Sequence, residues 1–394
     1  MTRILVTGGH SGIGLSALRH IIAASHPSLP PPYHIILLSR DPQSSIVAQA
    51  RQDLVQTSQR FNSPEHASNL FLDVRQMDLS SLASVRRLAT ELVTQFETEG
   101  VRLDLLLLNA AVAKANRNLV KDEDHQDWKK DHDVLSDDQG WYEETACVNH
   151  VAHLVLLHLL SPIISKAPSQ ASDGEQATRT FDTRIVFTSS ALHSKLKNLD
   201  ALDSYFSRSS FQSSDPWSLL DTYAASKFLQ MVGIRSYRRR LEVHLGRSSS
   251  VEVIEQTVPR IEVVAVQPGF VPQTGLSRES SLLKRLVMTY LLPLMPFATS
   301  LDDAGDCVAQ ACYRPLQDFP TTTTTNASTG KPGADPSRNQ DGYNDDGWAD
   351  DVESGVKSRL LAKKEGVLVS LSPDPRAGDL RLQEKWWPSQ LSDG

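Results

Sequence analysis

The chain has 394 residues, 40% hydrophobic and 22% charged, enough apolar surface for a packed core and too much for global disorder. Its formal net charge of −7 argues against a nucleic-acid partner, which would need clustered Lys and Arg to neutralise phosphates. Cys147, Cys307 and Cys312 show neither CxxC spacing nor a Cys/His cluster, so neither a disulfide framework nor a metal site is expected.

In chain order, strand-like and helix-like segments alternate. Residues 3–8 (RILVTG) read as a strand. Residues 12–24 read as a helix, with Ile13, Ala17, Ile21 and Ala24 on one face. A second strand follows at 34–40, a helix at 44–60, a strand at 69–74 and an amphipathic helix at 81–96. The continuous apolar run of 103–111 (LDLLLLNAA) suits a strand buried on both faces of a parallel sheet. A helix at 141–165, a strand at 184–190, a helix at 221–244, a strand at 261–269 and a last strand at 366–371 complete the series. Such alternation predicts an α/β fold, a doubly wound parallel sheet with right-handed crossovers and a ligand at the carboxyl ends of the strands.

Four stretches interrupt the pattern and account for most of the length, so one domain with long loop insertions is expected over 1–394. Residues 114–140 are charge-rich, 166–182 small and polar, and 193–220 rich in Ser and Asp. Residues 315–360 are nearly devoid of apolar side chains and read as a disordered insertion before the last strand. The sequon at Asn326 falls in this stretch. The first apolar run, Ile4 to Val6, is too short for a signal peptide, and no segment reaches the roughly 18 apolar residues of a membrane span, so a cytoplasmic protein is expected. Residues 282–298 are apolar but contain Lys284, Arg285 and two prolines. They read either as a hydrophobic lid or as a core helix, and their thin charged face argues against membrane contact. The segment 384–389 (EKWWPS) is expected to pack a C-terminal tail onto the domain.

The turn between the first strand and helix reads TGGHSGIG, with Gly8, Gly9, Gly12 and Gly14 where a helix should begin. Glycines there allow a tight turn, close approach of backbone to a pyrophosphate, and close packing of helix on strand. The free N–H groups and positive end of the helix then face the phosphates. His10 reads as a solvent-exposed filler. The second strand ends Ser39-Arg40, where a site for an unphosphorylated ribose would place Asp or Glu. A guanidinium instead suits a 2′-phosphate, which predicts NADP, with Asp41 as a carboxylate working against it.

Tyr223 and Lys227 are four apart in TYAASK and so share a helix face. An ammonium beside a phenol favours the phenolate; bringing a phenol from about 10 to 7 takes about 4 kcal/mol. Such a tyrosine could exchange a proton with a carbonyl or alcohol oxygen. Ser189 and Ser190 end the 184–190 strand, Asn109 ends the 103–111 strand, and Asn149 sits in an otherwise apolar helix, where its amide needs a specific partner such as a water.

TGGHSGIG, Asp78-Leu79, LNAA, VNH, IVFTSS, YAASK and VQPGFV, in this order, resemble the short-chain dehydrogenase/reductase family. The resemblance covers residues 3 to 312 and the strand at 366–371. It implies a Rossmann-type fold and hydride transfer with a nicotinamide cofactor. By the resemblance, Tyr223 is the acid/base, Lys227 binds the ribose hydroxyls and lowers the tyrosine pKa, Ser190 holds the substrate oxygen and Asn149 positions a relay water. Cofactor contacts are implied for Thr7, Gly8, Ser11, Gly12, Ile13, Gly14, Ser39 and Arg40. Asp78 and Leu79 would meet the adenine, Asn109 and Ala110 would border the cofactor, and Pro268, Gly269 and Val271 would lie by the nicotinamide carboxamide.

Segments similar to retinol-dehydrogenase-like, 3-ketosteroid-reductase-like and protochlorophyllide-reductase-like members imply a lipophilic steroid-, retinoid- or polyketide-like substrate. A homo-oligomer is compatible with the resemblance. Three departures stand out. Ala111 replaces a glycine beside the cofactor, Gln273 stands where a Thr is expected with Thr274 one place late, and Ser190 and Tyr223 are 33 residues apart, beyond the usual gap. The competing reading is a catalytically silent dinucleotide-binding sensor or scaffold; its mark would be the loss of Ser, Tyr or Lys, and all three are present.

Overall fold

The computed structural model describes residues 1–61, 69–124, 135, 140–166, 179–212, 217–249, 259–272, 298–320, 356–364, 367–388 and 391. The expectations for 282–297, for Gln273 and Thr274, for the Asn326 sequon and for most of 114–140, 166–182 and 315–360 lie outside these residues.

Among the described residues, eight strands form one sheet. They are β1 (Thr2–Thr7), β2 (Tyr33–Ser39), β3 (Leu70–Gln76), β4 (Leu105–Leu108), β7 (Thr183–Thr188), β8 (Ile261–Gln267), β9 (Val356–Lys364) and β10 (Val367–Leu371), in the order β10-β9-β8-β7-β4-β1-β2-β3. Only the β9–β10 pairing is antiparallel. The chain winds outward from β1 in both directions, so the sheet is of the Rossmann-type doubly wound class. Its switch point is the seam between β1 and β4, where Thr7 lies opposite Leu108. Strands β5 (Leu119–Lys121) and β6 (Trp141–Glu143) form a separate antiparallel pair.

Alternation along the central strands divides the core in two. Leu105 and Leu107 of β4 join Ile4, Val6, Ile35 and Leu37 on one face, covered by α1 (Gly12–Ala24), by Leu54 of α2 (Ser45–Phe61) and by α8 (Leu301–Tyr313). Leu106 and Leu108 turn to the other face, under α3 (Leu82–Thr98), α4 (144–159) and α7 (Leu219–Ser249). Burial of each such leucine contributes about 1.5–3 kcal/mol, which is why a polar residue within 105–108 would not be tolerated. Helix α1 is held by close contact as well: a Cβ on Gly305 of α8 would stand 2.1 Å from the Ser16 Oγ. This fixes the helix whose start is the glycine turn.

Four expectations change. The segment 141–165 does not begin as a helix: Trp141–Glu143 is strand β6. Helix α4 then runs as Glu144–Ala146, a π turn over Cys147–Val151, and Ala152–Leu159, with α5 (Ser161–Ile164) after it. Glu143 ends the strand and caps the helix, its carboxylate accepting from Ala146 N at 2.9 Å. The 114–140 loop contains β5. Within 193–220, a 3₁₀ turn (Ala191–Lys195), helix α6 (Asp200–Phe206) and a second 3₁₀ turn (Arg208–Ser210) replace a plain loop. Residues 356–360, expected to be disordered, begin β9; Ser358 and Leu361 are fully buried there and β9 pairs parallel to β8. The expectation for the C-terminal tail holds: Trp386 and Trp387 are buried beyond α9 (Leu380–Lys385).

One buried ion pair ties strands to helix. Arg184 of β7 lies opposite Glu262 of β8; its Nε donates to Glu262 Oε2 at 2.7 Å and its Nη1 to the carbonyls of Ala311 and Arg314 at 3.2 and 2.7 Å. The guanidinium thus satisfies carbonyls at the C-terminal end of α8. Arg184→Met should destabilise the fold by about 3–5 kcal/mol in urea unfolding, because it strands a buried carboxylate. Adding Glu262→Leu should recover a large part of that loss. A double variant no more stable than Arg184→Met would contradict this account.

Candidate active site

The carboxyl ends of β1, β4, β7 and β8 lie on one edge of the sheet, and the residues singled out by sequence gather there. At the end of β1, Gly8 and Gly12 adopt positive φ, +66° and +55°. A Cβ on Gly14 would come within 2.4 Å of the Gly8 carbonyl oxygen and 2.6 Å of Asn109 Nδ2, so only glycine lets α1 sit this close to β1 and β4. At Gly12 a Cβ would meet nothing within 4 Å, so the turn opens onto free space there. Ser11 is extended and its side chain makes no capping bond, so the first turn of α1, with Ile13, keeps its donors available to a ligand. His10 is half-buried, not the exposed filler expected from sequence.

The Thr7 hydroxyl holds the seam. It accepts from the backbone N–H groups of Asn109 and Ala110 at 3.0 and 3.1 Å and lies 3.2 Å from His153 Nε2. The Asn109 amide continues the network, donating to the Gly8 carbonyl at 3.1 Å and accepting from the Thr188 hydroxyl at 3.1 Å. Lys227 Nζ in turn donates to the Thr188 carbonyl at 2.9 Å and to Gln230 Oε1 at 3.3 Å. A continuous hydrogen-bonded path therefore runs from the glycine turn to Lys227.

Tyr223 and Lys227 occupy one face of α7, as their spacing predicts, with the Lys227 ammonium 5.8 Å from the phenol ring centre. Both are buried. Burial raises the Tyr223 pKa above its ordinary 10, and a hydrogen bond with Ser190 works against that rise. Burial lowers Lys227 from 10.5 to about 7. Ser190 follows β7 and caps the Ala191–Lys195 turn, its Oγ accepting from Leu192 N at 3.3 Å. Ser189 instead points its hydroxyl at Met231 Sδ, 3.5 Å away.

Asn149 sits in the π turn of α4 and is fully buried. Its Oδ1 accepts from Val112 N at 2.8 Å; its Nδ2 donates to the Val112 carbonyl and to Ser226 Oγ, both at 2.9 Å. Both donors are engaged, and one lone pair of Oδ1 is left for a further partner. Among the described residues, then, the protein partners of Asn149 are the loop after β4 and helix α7.

At the other side of the switch, Ser39 ends β2 buried and Arg40 is exposed. Asp41 turns its carboxylate toward Gln43 N, 3.1 Å away, and so is engaged within its own turn. Asp78 Oδ1 accepts from Ser80 N and Oγ at 2.9 and 2.7 Å, and Leu79 is buried beneath it. After β8, Gly269 has φ +95°, and a Cβ there would stand 2.2 Å from Thr299 Oγ1; Pro268 and Val271 are buried on either side. Phe270 between them is exposed. Sequence reasoning missed Thr188, Val112, Ser226 and His153. The one available signal was His153 itself, a polar residue one helical turn after Asn149 in an apolar helix.

No family model matches the chain. Over 279 residues it is 26% identical to a short-chain dehydrogenase/reductase of Pestalotiopsis microspora, covering 70% of this chain and 72% of that one. Over 260 residues it is 27% identical to human retinol dehydrogenase 14, covering 65% and 61%. Among solved structures, an NADPH-bound carbonyl reductase from chicken fatty liver is 19% identical, with a TM-score of 0.47 over 79% of this chain and 87% of that one. The curated relatives bear out the resemblance to the short-chain dehydrogenase/reductase family.

The depressed Lys227 pKa has a stability consequence. Between about 7 and 10.5 the unfolded chain binds a proton that the folded chain lacks, so folding stability rises with pH across that window. Tyr223, raised above 10, reverses the trend only at higher pH. From pH 7 to 10, wild type should gain stability relative to Lys227→Met by up to about 1.4 kcal/mol per pH unit. A difference between the two proteins that stays flat over this range in thermal or urea unfolding would show that Lys227 is not poised by burial.

Proposed function

We propose that the chain is an NADP-dependent oxidoreductase that moves a hydride between a nicotinamide and the carbonyl or alcohol carbon of a lipophilic substrate. The observation that carries this reading is the meeting, at one sheet edge, of the glycine turn, the Asn109 end of β4 and the Ser190–Tyr223–Lys227 cluster. The turn fits a dinucleotide: space is open at Gly12, α1 starts without a side-chain cap, and the switch point lies beside it. Thr7, Gly8, Ser11, Gly12, Ile13 and Gly14 would cradle the pyrophosphate. Asp78 and Leu79 would flank the adenine, Asn109 and Ala110 the centre of the molecule, and the backbone around Val271 the carboxamide. Ser39 and the exposed Arg40 suit a 2′-phosphate, with the Asp41 carboxylate turned toward Gln43 N within its own turn.

When bound, the nicotinamide supplies or receives the hydride. In the reductive direction, Tyr223 gives its phenol proton to the substrate oxygen as the carbonyl carbon gains the hydride. Burial keeps Tyr223 protonated at neutral pH, the form such a donor needs. Lys227, once protonated, stabilises the phenolate left behind; in the oxidative direction that phenolate takes the alcohol proton. Ser190, hydrogen-bonded to Tyr223, orients the substrate oxygen. The remaining lone pair of Asn149 Oδ1 is the place for a relay water. The lipophilic substrate class draws support from the retinol dehydrogenase relative and from the exposed Phe270 beside Val271.

Tyr223→Phe should abolish turnover in an NADPH-oxidation screen with steroid, retinoid, quinone and polyketide carbonyls, with NADPH affinity near wild type. Retained turnover would remove the mechanism, and NADPH binding without turnover of any carbonyl by the wild type would point to a silent sensor. Arg40→Asp should weaken NADPH much more than NADH in fluorescence titrations. Equal losses for the two would remove the assignment to NADP.

A further inference from the structure

We propose that His153 is a positioning residue for the dinucleotide crevice: its unprotonated Nε2 accepts a hydrogen bond from the Thr7 hydroxyl and so commits both lone pairs of that hydroxyl to the backbone that follows β4. A hydroxyl has one proton and two lone pairs. The N–H groups of Asn109 and Ala110, at 3.0 and 3.1 Å, take the two lone pairs. The contact left, 3.2 Å from Thr7 Oγ1 to His153 Nε2, must therefore use the Thr7 proton. The ring is then neutral and carries its own proton on Nδ1.

The surroundings support a neutral ring. Thr7 and His153 are each 1% exposed. Burial and the nearby Lys227 cation both oppose a charged imidazole, pulling its pKa to about 3. A protonated Nε2 would compete with the two amides for the same lone pairs and loosen the β1–β4 seam. Asn109, which donates to the Gly8 carbonyl at 3.1 Å, would move with it, and the glycine turn would lose its brace. His153 touches neither substrate nor cofactor in this account; it acts through Thr7.

The tautomer can be read directly in the full-length wild-type chain, labelled with ¹⁵N-histidine, at neutral pH. Through-bond correlations assign the His153 ring. A protonated Nδ1 and bare Nε2 are expected; a protonated Nε2 or a cationic ring overturns the proposal. The consequence for binding rests on the cofactor reading above and is tested by NADPH fluorescence titration. His153→Leu should weaken NADPH about tenfold or more, the size expected when a buried donor is left without an acceptor. His153→Gln, whose Oε1 can still accept, should recover most of that affinity. On a Thr7→Val background, where no proton remains to place, His153→Leu should add little further loss. An equal loss on both backgrounds overturns the proposal. Failure of the wild type to bind NADPH would sink the cofactor reading alone, and the ring nitrogens would still decide the tautomer. They decide it as well where the variants do not fold.

Discussion

The seam between β1 and β4 is the constraint on which the rest of the site depends. Two parallel strands end side by side there, and their last backbone donors have no ladder partner beyond Leu108. The Thr7 hydroxyl supplies one by accepting from Asn109 and Ala110. Buried backbone N–H groups without a partner are costly, so this one side chain sets where the β4 loop leaves the sheet. Asn109 then links that loop to the Gly8 carbonyl and to Thr188. The glycine turn, the loop and the end of β7 are thereby tied into one hydrogen-bonded unit.

The proposed acid/base pair is built on the same edge but by a different force. Tyr223 and Lys227 are removed from water, and burial disfavours the charged form of each. The lysine's ammonium is held by the Thr188 carbonyl and the Gln230 side-chain amide. An ion pair between the two becomes favourable only when the phenol gives up its proton.

Helix α7 is braced from behind by the C-terminal segment. The Trp386 carbonyl lies 3.0 Å from His150 Nε2 in the π turn of α4. Arg376 donates to the Leu196 carbonyl at 2.9 Å and stacks over Phe228, the neighbour of Lys227. A Cβ on Gly378 would stand 2.5 Å from Arg235 Nη1, so the segment lies tightly on α7. Residues distant in sequence thereby hold the helices that carry Asn149 and Tyr223.

The sequence by itself determined the features that local physics encodes. Four glycines in seven positions can serve only a bare backbone turn, four-residue spacing puts Tyr223 and Lys227 on one helix face, and the run Leu105 to Leu108 must be buried on both sides. The alternation of periods therefore revealed the doubly wound sheet and the edge where the candidate site lies. Tertiary structure alone decided what depends on partners far along the chain. The lysine- and arginine-bearing 356–364 reads as polar until β8 pairs with it. Asn149 reads as a water-binding amide until Val112 and Ser226 arrive to take all but one lone pair of it. His153 reads as one more residue of an apolar helix until β1 brings Thr7 to its ring. Hydrogen-bond demand is written in the sequence, but the donor or acceptor that meets it is chosen by the fold.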